Sequence, residues 1–264
     1  MSDSHYLALG IEYDGRSYCG WQTQPDQPTV QDALERALGK FVTEKVPTIC
    51  AGRTDTGVHG TGQVVSIAVN CDRPMRNWIR GVNTFLPDDI VVRWARVVDK
   101  EFSARFCALS RTYEYWICND AIRSPIFHGR TGWVWRACDA NLMHAEAQCL
   151  VGEHDFTSFR ASECQAATPI RTIESIQVRR VGKLIGIEIT ANAFLQHMVR
   201  NIVGSLVYVG IGRERAGWLR AVLEARERAV AAPTCEPSGL YLVGVRYPES
   251  YELPSRGASP FVLG

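Results

Sequence analysis

Apolar and polar residues alternate from Tyr6 to Tyr13, placing Leu7, Leu9, Ile11 and Tyr13 on one side of an extended chain. That period of two predicts a half-buried strand. Asp14 to Gln22 follows as a glycine-containing loop, in which Tyr18 and Trp21 offer flat faces for local packing. The period then lengthens. Thr29 reads as a helix cap with Asp32 three residues on, and Val30, Ala33, Leu34, Ala37, Leu38 and Phe41 fall at helical spacing. Val46 to Ala51 reads as a second strand and Gln63 to Val69 as a third, with Val65, Ile67 and Val69 on one face. Asp72 reads as the cap of a second helix with Pro74 near its first turn. Met75, Trp78, Ile79, Val82 and Phe85 would line that helix's inner face, Pro87 would end it, and Ile90 to Val98 follows as a fourth strand. The order is β-α-β-β-α-β, the ferredoxin-like unit that RNA-recognition modules share, with helices on one face of an antiparallel sheet and the other face open.

Asp99 to Cys107 reads as a connector, after which the pattern returns. Arg111 to Asn119 is a strand, Gly129 to Arg136 a short aromatic insertion, and Asp139 caps a helix containing Leu142, Met143 and Leu150. Arg171 to Arg179 and Lys183 to Thr190 form a hairpin with Gly182 in its turn. An apolar helix from Leu195 to Val209, a surface helix from about Arg213 to Arg228 and a closing strand from Gly239 to Tyr247 complete a second β-α-β-β-α-β unit with one helix added. Pro248, Pro254 and Pro260 mark a tail running over the surface. The expectation is an α+β protein of two ferredoxin-like, RRM-like units, 1–105 and 106–264, whose antiparallel sheets join around a central cleft.

Composition narrows the class. The chain has 264 residues, 46% of them hydrophobic and 22% charged, enough for a sizeable core. No apolar run is long enough to span a bilayer, and the first residues lack the basic start and apolar centre of a signal peptide. Nine cysteines without a C-x-x-C pair, and scattered histidines, speak against a disulfide framework or a metal site. A reduced, cytoplasmic protein without metal is expected. Net charge is only +1, which by itself gives nucleic-acid binding no support. Lysine occurs only at 40, 45, 100 and 183, leaving 25 of the 29 basic residues as arginine. Arginine's planar fork suits phosphates and bases; a genomic bias toward arginine codons accounts for the excess equally well.

Candidate chemistry centres on Ala51 to Gly60, a loop with three glycines, Arg53, Asp55 and His59 between two strands. Asp55-Thr56-Gly57 is a turn-forming tripeptide. It is also the tripeptide of aspartic proteases, but those pair two carboxylates, and this chain would have to dimerise to supply the second. On the strand that opens the second unit, Arg111, Tyr113 and Tyr115 share one face, either as a stacking and phosphate surface or as ordinary cross-strand packing. Arg200 lies between Val199 and Ile202 in an apolar run. It calls for a partner, of which Asp55 is a candidate, or for a route to solvent.

Tyr13-Asp14-Gly15 with Gly20-Trp21-Gln22, and Gly52 through His59, resemble the TruA-type tRNA pseudouridine synthases. So do Phe102 to Arg105, Arg111 to Tyr115, Asp155 to Phe159, His197 to Asn201 and Gly239 to Leu242, in the family's order. Gly60 departs from the family's usual alanine. The resemblance implies isomerisation of uridine to pseudouridine at tRNA positions 38, 39 and 40, in the anticodon arm, without metal or other cofactor, by a homodimer that holds one tRNA against both subunits. Asp55 matches the catalytic aspartate, Tyr113 the tyrosine that packs on the target base, Arg200 the arginine paired with the aspartate, and Arg53 the arginine near the flipped nucleotide. The resemblance leaves open whether the carboxylate adds to C1′ or assists a glycal route. The competing readings are a non-catalytic RNA-binding module and the dimeric aspartic protease.

Overall fold

The structure is a computed structural model that describes residues 5–71 and 73–261. In chain order it contains β1 (His5–Tyr13), α1 (Val30–Val42), β2 (Ile49–Cys50), β3 (His59–Val69), α2 (Met75–Asn83) and β4 (Ile90–Val97). There follow β5 (Ser110–Asn119), β6 (Gly132–Val134), α3 (Ala140–Ala147), β7 (Gly152–Asp155), β8 (Ile170–Val181), β9 (Leu184–Ala191), α4 (Met198–Gly210), α5 (Trp218–Ala225) and β10 (Leu240–Arg246). Contacts group these elements into two compact units. One runs up to Arg111 and resumes at Tyr241; the other is Thr112–Leu240. The division therefore departs from the expected cut at 105/106, because the chain from Tyr241 onward packs with the first unit.

In the first unit β1 lies between β3 and β4, antiparallel to both, and β2 pairs with β3. The last strand is parallel to β3, with Tyr241 opposite His59 and Leu242 opposite Gly60, so the sheet is mixed rather than antiparallel. A strand that returns after a long excursion is free of the hairpin constraint and can run parallel. Leu7, Leu9, Ile11, Val65 and Ile67 pack against Leu34 and Leu38 of α1 and Trp78 and Val82 of α2. The Thr29 side chain accepts a hydrogen bond from the Asp32 N–H, the expected cap. Asp72 lies outside the described residues, and Pro74 occupies the cap position of α2.

Three expectations change here. The second strand shrinks to Ile49–Cys50, because the Thr48 N–H and hydroxyl turn to the Glu35 carboxylate at 2.8 and 2.9 Å. α2 stops at Asn83, well before Pro87, and leaves Phe85 exposed rather than inside. Third, the face opposite the helices is not open. Ala8 and Ser66, which alternate with the core residues, are buried. The connector supplies Ala104, whose N–H donates to Ser66 Oγ, and Tyr247 donates its hydroxyl to the Ala104 carbonyl at 2.7 Å. Phe102 packs on Tyr247 and Tyr251 with ring centroids 5.2 and 4.9 Å apart.

In the second unit β8 and β9 form the expected hairpin around Gly182, β9 neighbours β5, and β7 adds to the far side of β8. The aromatic insertion is a strand, β6, parallel to β5. With β6 and β7 added and β10 grouped elsewhere, this unit is a mixed sheet with helices and not a second copy of the plain β-α-β-β-α-β order. α4 begins at Met198 because His197 takes a left-handed backbone, φ 62°, which a helix cannot continue. The helix is buried almost all round. α5 is shorter than expected, bounded by Gly217 and Arg226 at positive φ. At the start of α4, Asn201 is fully buried. Its amide donates to the Phe159 carbonyl at 2.8 Å, and its oxygen accepts from Thr234 at 2.6 Å and Arg228 at 3.2 Å. Asn201→Ala would remove three hydrogen bonds, leaving Arg228 and Thr234 only each other and the Ala231 carbonyl, so it should lower stability by about 2–4 kcal/mol, read as a lower urea midpoint at unchanged slope.

Candidate active site

The first unit holds Arg53 and Asp55 on one loop. Arg53 is exposed and Asp55 half-buried. The loop's carbonyls are individually engaged. Arg111 donates from Nε and Nη2 to the Ala51 carbonyl at 3.2 and 2.9 Å, and Gln63 donates to that of Gly52 at 2.7 Å. The Trp21 N–H donates to the Thr54 carbonyl at 3.0 Å, and the Val58 N–H to that of Asp55 at 3.1 Å. The Gly57 N–H reaches back to the Tyr18 carbonyl, and the Thr54 hydroxyl shares a hydrogen bond with the Tyr13 hydroxyl at 2.8 Å. A carboxylate on a backbone fixed in this way is preorganised.

The Asp14–Trp21 loop is thus the cradle of the Asp55 loop. Tyr18 and Trp21 are buried in it, and Trp21 packs on Tyr13 at 5.7 Å, as the packing reading anticipated. Gly20, at φ 88°, presses on Thr54 and Asp55 so closely that a Cβ there would lie 2.7 Å from the Thr54 carbonyl oxygen. His59 opens β3, is buried, and stacks on Tyr241 with centroids 4.6 Å apart. Its Nδ1 accepts from the Gly15 N–H at 3.2 Å and lies 3.2 Å from Asp14 Oδ1. Burial alone would raise the Asp14 carboxyl; hydrogen bonds from the Arg16 side chain and backbone, with the Arg16 charge, hold it below the ordinary value. A Cβ on Gly60 would lie 2.6 Å from the Tyr13 ring, so glycine here goes with this placement of Tyr13.

Arg111 was offered by the sequence as a phosphate ligand. Its guanidinium instead spans the carbonyls of Ala51, Arg105 and Ala108, which makes it a positioning group that strand alternation alone does not reveal.

The second unit holds Tyr113 and Arg200. Tyr113 is buried on β5 and meets Phe194 edge-on, with centroids 5.0 Å apart. Tyr115, on the same face, is no stacking platform: it is buried, donates its hydroxyl to the Glu236 carbonyl at 2.9 Å, and burial pushes its pKa well up. Arg200, half-buried on α4, donates from Nε to the Cys235 carbonyl at 2.8 Å, and the Cys235 N–H returns a bond to the Arg200 carbonyl. Burial pushes the Cys235 thiol up to about 12, so it stays neutral beside the guanidinium.

Among the described residues no group of His, Cys, Asp or Glu could hold a metal ion, and no helix is long and apolar enough to cross a membrane. A family described as tRNA pseudouridine synthase matches this chain over residues 10–107 and 147–248. The tRNA pseudouridine synthase A of Shewanella sediminis (strain HAW-EB3) is 51% identical over 257 residues, covering 97% of this chain and 98% of the relative. That of Paraburkholderia xenovorans (strain LB400) is 51% identical over 249 residues, covering 94% and 92%.

Proposed function

The chain belongs to the tRNA pseudouridine synthase family and isomerises uridine to pseudouridine in tRNA, and we propose that it does so at positions 38, 39 and 40 of the anticodon stem-loop with Asp55 as the catalytic carboxylate. The observation that carries the assignment is the Asp55 loop, whose carbonyls are tied one by one to Arg111, Gln63, Trp21 and Val58. In the proposed reaction the N1–C1′ bond of the target uridine breaks, the base turns while it is held, and C5 bonds to C1′. Loss of the C5 proton restores the aromatic base, and N1 takes up a proton, so the product has the substrate's composition.

One carboxylate suffices, because no water enters the product; glycoside hydrolases, which must deliver a water and protonate a leaving oxygen, flank their bond with two. The retained base needs a stacked, water-excluding pocket. Tyr113 is proposed to stack on it, with Phe194 holding the tyrosine ring from its edge. Lifting the nucleotide from its own stack costs a few kcal/mol, and one base–aromatic stack returns about 1–3 kcal/mol of that. Arg200 is proposed to bind the substrate, and the exposed Arg53 to hold the flipped nucleotide by its phosphate. The protein is proposed to act as a cytoplasmic homodimer, which would widen the arginine-bearing surface presented to tRNA.

The test uses purified protein and an unmodified tRNA transcript with uridines at 38–40. Carbodiimide labelling and primer extension should give stops confined to those positions. Stops elsewhere in the tRNA would overturn the assigned site, and size-exclusion chromatography with light scattering on the same sample checks the dimer.

A further inference from the structure

A second site is built into the first unit, on the side of its sheet away from the helices. Two irregularities in strand pairing meet there. Between β1 and β4 the register slips where Gly10 and Ile11 oppose Trp94 and Val92, which makes Arg93 an extra residue. Between β1 and β3 it slips again where Ile11 and Tyr13 oppose Gln63 and Gly60, and the Thr61–Gly62 stretch takes up the mismatch. Bulges re-aim side chains that a regular pleat would send to opposite faces. Here the neighbours Arg93 and Trp94 both line one cavity of about 260 Å3, together with Gly10, Thr61 and Gly62, and with Arg256 from the C-terminal segment.

Several features make this more than a gap. A Cβ on Gly10 would lie 2.1 Å from Trp94 Nε1, so the indole lies directly over the β1 backbone and only glycine leaves it room. The segment bearing Arg256 is fastened to β10, where the Gly257 N–H donates to the Val243 carbonyl at 2.8 Å and Gly244 bridges to Arg256. Among the described residues the buried Thr61 hydroxyl has no hydrogen-bond partner, an arrangement that folded proteins rarely tolerate. Arg93 and Arg256 bring two guanidinium groups to the lining, and Glu12 lies 3.4 Å from Arg93 Nε.

We propose that this cavity binds a nucleotide, with the base against Trp94 and the phosphate held by Arg93 and Arg256. Indole faces stack on any base, and guanidinium forks match phosphate. The proposal rests on the chain's being a tRNA enzyme for its choice of occupant: a tRNA nucleotide other than the one isomerised. A free mononucleotide presents the same chemistry.

Binding of an unmodified tRNA transcript would be measured across a salt series for wild type, Arg256→Ala, Trp94→Ala and Trp94→Phe, alongside titration with uridine 5′-monophosphate. Arg256→Ala should weaken tRNA binding about three- to tenfold and reduce the salt slope by about one. Trp94→Ala should weaken binding, and Trp94→Phe should restore it, because a ring that stacks is retained. Uridine monophosphate binding that Arg256→Ala abolishes would show that a free nucleotide suffices; the tRNA effect without it would assign the site to a residue of the tRNA. Wild-type affinity and salt slope in Arg256→Ala, which alters an exposed side chain, would overturn the proposal. The pseudouridine stops of the wild-type enzyme report separately on the family reaction, so either reading can fail alone.

Discussion

Asp55→Asn is expected to lower the single-turnover rate of pseudouridine formation on the order of 10⁴-fold or more, while tRNA affinity stays within about threefold and the melting temperature holds. The substitution keeps the side chain's size and removes its charge and basicity. The loop's backbone carries hydrogen bonds of its own. Its conformation is held through the backbone, by Trp21 on the Thr54 carbonyl, Val58 on that of Asp55, Gln63 on that of Gly52 and Arg111 on that of Ala51. A 10⁴-fold loss corresponds to about 5.5 kcal/mol of transition-state stabilisation, well above the effect of a neutral hydrogen bond. The measurement is a single-turnover time course on saturating enzyme, with filter binding of the same tRNA. A collapse of affinity or of the melting transition, with residual rate in proportion, would instead make Asp55 a structural residue.

The contrast between that loop and its surroundings shows what the sequence makes legible. Period-two and helical runs predicted β1, α1, β4 and the β8–β9 hairpin, whose apolar residues recur at the element's own period, and a long apolar run predicted the body of α4, which is buried almost all round. Ile49–Cys50 and the short β6 carry too few residues for a period to emerge, and β7 lies in a stretch rich in polar residues. The covered face of the first unit was invisible for a different reason. Phe102, Ala104 and Tyr247 bury it from irregular segments, and irregular backbone has no repeat to read. The Asp55 loop stood out through its glycines and its mixed charges. Its supports did not, since Arg111, Gln63, Tyr13 and Trp21 act through tertiary contacts to backbone carbonyls and a hydroxyl that no local pattern encodes. The same limit applies to the Trp94 cavity, which exists because two register slips fall side by side.

Gly20→Ala is the substitution that should damage catalysis most without touching a reactive group. Gly20 has φ 88°, a conformation in which an added methyl costs about 1 kcal/mol or more from local sterics alone. That methyl would also lie 2.7 Å from the Thr54 carbonyl oxygen and 3.1 Å from the Asp55 carbonyl carbon, both backbone atoms that cannot swing aside. The Trp21 N–H is bonded to the same Thr54 carbonyl, so relief requires the Asp14–Trp21 loop or the Asp55 loop to shift, and either movement displaces the carboxylate. A displacement near 1 Å costs about 10²-fold in rate, so kcat should fall by about that factor. KM for tRNA should change less than kcat, because Tyr113, proposed to stack on the base, stands on β5 and not on either shifting loop. Steady-state kinetics with circular-dichroism melts would separate the terms. A kcat within twofold of wild type, at a melting temperature lowered by the strain, would mean that the Asp14–Trp21 loop supports the fold and not the geometry of Asp55. A hundredfold lower kcat with near-native KM would make this glycine the contact through which the first loop of the chain sets the position of the Asp55 carboxylate.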